Sequence, residues 1–158
     1  MKSREDLLDE ARRNLKEMTV QEVHDYLEGD ADPILLDIRG LDEWERGHLK
    51  GAVHIPRGIL ERELEDKLSD LSKEVIIYCA GGVRSLLAGE TMQALGYENV
   101  ISMDGGYGDW EDARLPVEIP PLPEEEGAPE DPDLMETELA HLEQVIAKKK
   151  KRLEAAKK

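Results

Sequence analysis

The stretch EVIIYCAGGVRSLLAGETMQALGY, residues 74–97, is the part of the sequence that most clearly indicates the fold. Its first residues, 74–78, form a short apolar run that is typical of a fully buried strand. A helix is predicted from Ser85 to Leu95, ended by Gly96. Between them lies the single cysteine of the chain, Cys79. Because ligands of parallel sheets bind beyond the carboxyl ends of the strands, this order predicts a functional site at Cys79.

The flanking sequence repeats the alternation of strands and helices. Thr19 begins a helix, with Glu22 placed three residues later as in a capping box. Further strands are predicted over 33–38, 51–56 and 99–103, and further helices over 41–46 and 59–68. The pattern predicts an α/β fold, a parallel sheet covered by helices on both faces.

The two ends of the chain differ from this central part. Segment 3–18 is predicted to be a helix, because Leu7, Leu8, Ala11, Leu15 and Met18 recur at helical spacing. Residues 120–132 are rich in Pro and Glu and predict an extended linker. The predicted divisions are an N-terminal helical extension (1–18), a central domain (19–119), the linker (120–132) and a C-terminal amphipathic helix (133–158).

The predicted C-terminal helix has an apolar seam at heptad spacing with Lys149 as one polar position. The seam consists of Met135, Leu139, Leu142, Ile146 and Leu153. It could pack on the N-terminal helix or join a second chain, and a homodimer through this helix is one expectation.

Composition narrows the function classes. The formal net charge of −16 argues against binding to nucleic acid or to an anionic membrane. Hydrophobic residues make up 39% of the chain and include no Phe, so the core must be mainly aliphatic. One cysteine excludes an intramolecular disulfide and a four-cysteine metal site. With no apolar signal segment visible, a cytoplasmic protein is expected.

The loop after Cys79 has the composition of an anion-binding cradle around a nucleophile. Ala80, Gly81, Gly82 and Val83 are small or compact enough for backbone N–H groups to turn inward. Arg84 adds a positive charge, and Ser85 can cap the following helix or donate to the loop. A helix N-terminus stabilises a thiolate. The alternative interpretation is that Cys79 is only a small buried hydrophobe.

Three ordered motifs carry a family resemblance over residues 19–118. CAGGVRS (79–85) resembles the active-site loop of rhodanese-like domains. LLDIRGLDEWERGHLKGAVHIP (35–56) resembles their first signature, and MDGGYGDWEDARLPVE (103–118) resembles their terminal one. The resemblance implies a parallel five-stranded sheet with helices on both faces.

The resemblance also implies sulfur transfer. Cys79 would take sulfane sulfur from thiosulfate or a persulfide and hold it as a persulfide among the N–H groups of residues 80–85. A thiophilic acceptor, such as thioredoxin or a low-molecular-weight thiol, would then remove it. No metal or other cofactor is expected. Ala80 stands where many thiosulfate-using members have a basic residue, which disfavours thiosulfate as the physiological donor.

Other residues are assigned supporting roles. Asp37 and Arg39 follow a buried strand and predict an ion pair that organises the sheet edge. Trp44 and Trp110 are expected to be packing residues. His48 and His54 are expected to be structural, and they do not predict a metal site.

Three alternatives to a sulfurtransferase remain. Related phosphatases and arsenate reductases have one more residue in the loop than the four that separate Cys79 from Arg84 here. A non-catalytic module could recruit a partner through the acidic surface or the C-terminal helix. A dimer could sense sulfur or oxidants through Cys79.

Overall fold

The computed structural model describes residues 1–121 and 132–157. Its strands are β1 (Lys16–Thr19), β2 (Ile34–Asp37), β3 (His48–Leu49), β4 (Val53–His54), β5 (Val75–Tyr78), β6 (Val100–Asp104) and β7 (Val117–Glu118). Five of them form one sheet in the order β1-β6-β5-β2-β4. Every pairing in it is parallel, whereas β3 and β7 form a separate antiparallel pair. The predicted α/β class and five-stranded parallel sheet are confirmed.

The helices occupy the connections between strands. They are α1 (Arg4–Asn14), α2 (Val20–Glu28), α3 (Leu41–Glu45), α4 (Leu60–Lys67), α5 (Val83–Ala94), α6 (Gly106–Asp112) and α7 (Pro132–Ala156), with a 3-10 turn at Arg57–Ile59 before α4. The predicted capping box of α2 forms, since Thr19 Oγ1 accepts the Glu22 N–H at 3.2 Å and the Glu22 carboxylate accepts the Thr19 N–H at 3.4 Å.

Two apolar clusters form the core, and β5 contributes to both because its side chains alternate between faces. Val75 and Ile77 belong to one cluster, together with Cys79 and residues of α1, α4 and α5. Ile76 and Tyr78 belong to the other, which also draws on α2 and α6. Cys79 therefore lies on the same face of the sheet as the helix that follows it.

The prediction of one helix over 3–18 is wrong at its C-terminal end. The helix ends at Asn14, and residues 16–19 form β1, which pairs with β6 at the edge of the sheet. Leu15 is already extended, with φ −122° and ψ 133°. The error has a simple cause: Leu15 and Met18 continue the helical spacing of the residues before them, although Leu15 caps the helix and Met18 points inward from a strand.

The chain divides into two compact units, Met1–Pro120 and Pro121–Lys158. The predicted linker, 120–132, falls mainly on residues 122–131, which lie outside the described residues. In α7 the seam residues Met135, Leu139, Ile146 and Leu153 are exposed. The domain boundaries and the partner of this seam stay predictions. Among the described residues, no helix combines the length and the apolar character needed to cross a bilayer.

Candidate active site

The loop between β5 and α5 begins at Cys79 and ends at Gly82, the residue that caps the helix N-terminus. Gly82 has φ +91°, a left-handed conformation that glycine adopts without strain. A Cβ at this position would also lie 3.0 Å from the backbone nitrogen of Gly105. The loop therefore requires glycine at this position, for both conformation and space.

The sulfur of Cys79 lies at the N-terminus of α5. The Gly82 N–H donates to Sγ at 3.1 Å, and the Ser85 Oγ lies 3.7 Å from Sγ. Ser85 in turn hydrogen bonds Ser102 of β6, with 2.8 Å between the two hydroxyl oxygens. Cys79 is only 1% exposed. These contacts join the predicted nucleophile to two of the predicted loop residues, Gly82 and Ser85.

The first turn of α6 holds the loop from its other side. The N–H groups of Tyr107 and Gly108 donate to the carbonyl oxygens of Cys79 and Ala80 at 2.8 and 2.9 Å. Gly106 has φ +58°, and a Cβ there would lie 2.5 Å from the Cys79 carbonyl oxygen. The carbonyls of Cys79 and Ala80 thus have partners in α6, and the Gly82 N–H is the loop N–H that contacts the sulfur.

Arg84 contacts a carboxylate on another helix. Its Nη1 and Nη2 donate to Oε1 and Oε2 of Glu43 at 3.5 and 3.4 Å. The two side chains are 44% and 29% exposed. Of the remaining predicted loop residues, Gly81 is exposed, whereas Ala80 and Val83 are half-buried.

Asp37 and Arg39 form the predicted ion pair. Arg39 Nη2 donates to Asp37 Oδ2 at 2.8 Å and to the Gly47 carbonyl at 2.7 Å, and the Arg39 N–H donates to Asp37 Oδ1 at 2.9 Å. Its guanidinium carbon lies 3.9 Å from the centre of the Tyr107 ring. Burial opposes the charged form, but the hydrogen bonds and charge of Asp37 outweigh it and raise the pKa of Arg39.

Trp44 stacks with both histidines that the sequence singles out. Its ring centre lies 3.5 Å from that of His48 and 4.7 Å from that of His54, with nearly parallel planes. His48 Nδ1 lies 2.8 Å from the Leu49 carbonyl, and His54 Nε2 lies 2.7 Å from the Arg39 carbonyl. Both imidazoles thus have structural contacts. Trp110 is buried, and its Nε1 donates to a backbone carbonyl at 3.0 Å.

Sequence reasoning missed Glu43 as the partner of Arg84 and Ser102 as the partner of Ser85. Glu43 lies 41 positions before Arg84, on a helix that follows a different strand. The only available signal was topological: α3 and the loop both follow the carboxyl ends of neighbouring strands, β2 and β5. In the part of the chain that the structure describes, no group of three or more His, Cys, Asp or Glu side chains is placed to hold a metal ion.

Similarity to known proteins identifies the family of this chain. A family model described as rhodanese-like domain matches residues 19–113. The chain belongs to the rhodanese-like family. The matched residues include the loop and the pairs Asp37–Arg39 and Glu43–Arg84. They also include the strands of the parallel sheet, except for the first three residues of β1.

Relatives in this family have more than one role. The chain is 35% identical over 106 residues to the thiosulfate sulfurtransferase GlpE of Haemophilus influenzae. The aligned residues cover 66% of this chain and 96% of that one. It is 32% identical over 99 residues to the putative sulfur carrier protein YrkF of Bacillus subtilis, covering 61% of this chain and 51%, about half, of that relative. A tRNA uridine(34) hydroxylase of Erwinia tasmaniensis is 36% identical over 81 residues, covering 49% of this chain and 23% of that one.

Several solved structures share the fold. A protein from Rhodopseudomonas palustris, called of unknown function and a possible tyrosine phosphatase, is 32% identical with a TM-score of 0.68, covering 75% of this chain and 96% of that one. A thiosulfate sulfurtransferase from Pseudomonas aeruginosa is 26% identical with a TM-score of 0.62, covering 71% of this chain and 22% of that one. Family membership therefore supports sulfurtransferase chemistry while leaving the substrates to be tested.

Proposed function

We propose that this protein is a sulfurtransferase that carries sulfane sulfur on Cys79 as a persulfide. The observation that carries the proposal is the 3.1 Å contact of Sγ with the Gly82 N–H at the N-terminus of α5. A sulfur at that position is next to the partial positive charge of the helix end, which stabilises a thiolate or a persulfide anion.

In the first half-reaction, the thiolate of Cys79 attacks the terminal sulfur of the donor. A new S–S bond forms, and the bond between the donor sulfurs breaks with its electron pair leaving on the departing group, which is sulfite when the donor is thiosulfate. The products are a persulfide anion on Cys79 and the leaving group, so charge is conserved. In the second half-reaction, a thiolate or cyanide attacks the terminal sulfur and restores the Cys79 thiolate.

Ser85 can hydrogen bond the sulfur of Cys79 in both its thiol and its thiolate form. In the thiol form, the S–H of Cys79 can donate to Ser85 Oγ, 3.7 Å away. In the thiolate form, the Ser85 hydroxyl can rotate to donate to sulfur while it accepts from Ser102. The hydroxyl pair thus serves both charge states without movement of the backbone.

The burial of Cys79 restricts which donors can react. A sulfur that is 1% exposed can meet only the narrow end of a donor, where a terminal sulfur protrudes. This supports small donors, or persulfides presented on an extended side chain. The acceptor must come from outside, because the chain has one cysteine; a low-molecular-weight thiol or thioredoxin fits that requirement.

Intact mass measured without reductant tests the proposal. After incubation with thiosulfate or with a low-molecular-weight persulfide, the protein should gain one sulfur that cyanide removes, and Cys79→Ser should gain none. Cys79→Ser is nearly isosteric, so its circular dichroism spectrum should be unchanged. Turnover retained in Cys79→Ser would overturn the persulfide mechanism, whereas no sulfur gained by the parent protein would overturn the proposal and favour a binding module.

A phosphatase is the second candidate, because a structural relative is called a possible tyrosine phosphatase. Hydrolysis of p-nitrophenyl phosphate by the same samples distinguishes the two activities. We expect none, since the four residues between Cys79 and Arg84 make a narrow loop.

A further inference from the structure

We infer that Glu43 determines which sulfur donors the loop accepts: by pairing with Arg84, it disfavours dianionic donors such as thiosulfate relative to donors that carry a single negative charge. The inference rests on the proposed sulfur transfer and concerns the specificity of that site. Glu43 is a positioning residue, since it acts through Arg84.

The first observation is that Glu43 is held in place to meet Arg84. Both of its carboxylate oxygens contact the guanidinium of Arg84, at 3.5 and 3.4 Å. Its Oε1 also accepts the Gly40 N–H at 3.2 Å, which fixes the carboxylate at the start of α3. Burial acts to raise the pKa of Glu43, but this N–H and the charges of Arg84 and Arg39 outweigh it and lower the pKa. Glu43 is therefore ionised at neutral pH.

The second observation is that the charges at this edge are balanced. The two arginines, Arg39 and Arg84, are each matched by a carboxylate, Asp37 and Glu43. Arg39 is committed to its partner, because it is 3% exposed and also bound to the Gly47 carbonyl. Arg84 is therefore the cation of the loop that a donor can recruit, and the donor has to compete with Glu43 for it.

This competition depends on the charge of the donor. A dianion brought to the loop is repelled by the net charge of the chain, −16, and it meets an arginine whose charge Glu43 already neutralises, so it loses the stronger attraction that its second charge would gain from a free Arg84. A monoanion suffers about half of that repulsion. A second positive charge in the loop would offset the preference for the monoanion. Residues 79–85 provide none besides Arg84, since Ala80 next to the cysteine is uncharged.

Two donors of matched chemistry separate charge from reactivity. Thiosulfate is a dianion and methanethiosulfonate a monoanion, and both present a terminal sulfur on a sulfonyl group. Attack by the Cys79 thiolate forms the same persulfide from each, and releases sulfite from the first and methanesulfinate from the second. In a two-step transfer, kcat/KM for the donor reports the first half-reaction whatever the acceptor.

The experiment measures kcat/KM for both donors at constant ionic strength, with cyanide as acceptor. Glu43→Gln should raise the ratio of thiosulfate to methanethiosulfonate about three- to tenfold. The amide oxygen of glutamine can still accept the Gly40 N–H, so the fold should be kept. Glu45→Gln removes the same charge from the same helix, but Glu45 does not pair with Arg84, so the ratio should be unchanged.

A double-mutant cycle tests whether Glu43 acts through Arg84. In an Arg84→Ala background, Glu43→Gln should change the ratio much less. If these variants are too slow for kinetics, Trp44 fluorescence can follow binding of sulfate and methanesulfonate, which match the two donors in charge. An unchanged ratio in Glu43→Gln, or an effect that persists in full without Arg84, would overturn the inference while sulfur transfer stands. A parent protein that accepts sulfur from neither donor would overturn the proposed function, and the inference with it.

Discussion

Two arginine–carboxylate pairs lie at the same edge of the sheet and have opposite character. Asp37 and Arg39 are 0% and 3% exposed and share bidentate hydrogen bonds, the shortest of 2.8 Å. Glu43 and Arg84 are 29% and 44% exposed, and their contacts are 3.4 Å or longer. The first pair is part of the core, whereas the second lies at the surface beside the loop.

The difference in burial indicates which pair can take part in a reaction cycle. A buried charge that loses its partner keeps the full cost of desolvation, so Asp37 and Arg39 must stay together while the protein is folded. Water replaces the partner of an exposed charge at little cost, so Arg84 can leave Glu43 when an anion arrives. The buried pair is a fixed part of the fold, and the exposed pair is available to function.

The largest effect is expected from removing a charge from the buried pair. Asp37→Asn removes the negative charge opposite the buried guanidinium of Arg39 and replaces one accepting oxygen with an amide nitrogen that cannot accept a hydrogen bond. The substitution should lower the free energy of unfolding by about 3–5 kcal/mol. Urea denaturation followed by circular dichroism measures this loss. Asp32→Asn is the control, since Asp32 is exposed and its contact with Lys73 is 3.9 Å. A loss no larger than that of the control would contradict the assignment of a structural pair.

A smaller effect, on activity rather than on stability, is expected from the exposed pair. Arg84→Ala should reduce kcat/KM for thiosulfate roughly 10- to 100-fold, because the positively charged side chain that ends the loop sequence can no longer attract the anionic donor. The free energy of unfolding should change by less than about 1 kcal/mol.

Arg57→Ala is the matched control for Arg84→Ala. Arg57 pairs with Glu61 at 2.8 Å, a shorter contact than that of Arg84, but it lies outside the loop. Its replacement should leave kcat/KM close to that of the parent protein. Equal losses of activity in the two variants would refute a specific role for Arg84.

The buried features of this site could be predicted from sequence because they leave local patterns. The strand before Cys79 is a continuous apolar run, and the glycines after it mark a sharp turn into a helix. Asp37 and Arg39 are two positions apart at the end of a strand, so their ion pair requires no knowledge of tertiary structure. Each of these signals lies within a few residues of the atoms that it describes.

The features that sequence reasoning missed depend on contacts between distant segments. The chain has 37 acidic residues, and no local pattern selects Glu43 as the partner of Arg84. The strand β1 was misassigned because it lies at the sheet edge and has a single buried residue, Met18, which fits a helical period as well as a strand. Edge strands and exposed ion pairs are specified by their neighbours in space, which single-sequence periodicity does not report.

The smallest expected effect is the pH dependence of the Glu43–Arg84 contribution to stability. The folded state lowers the pKa of Glu43, so the unfolded chain binds more protons than the folded protein near the ordinary carboxyl value of ~4.3. The contribution is therefore present above that value and is lost as the pH falls through the lower pKa of the folded state. The difference in unfolding free energy between the parent protein and Glu43→Gln should be below about 1 kcal/mol and constant near neutral pH, and it should shrink below about pH 4.5. Urea denaturation of both proteins at each pH measures this difference in unfolding free energy, to which the carboxylates common to both proteins contribute equally. As the control, the difference between the parent protein and Glu45→Gln should not change with pH. A difference that stays constant through the acid range would show that the charge of Glu43 does not stabilise the pair, and that only its packing does.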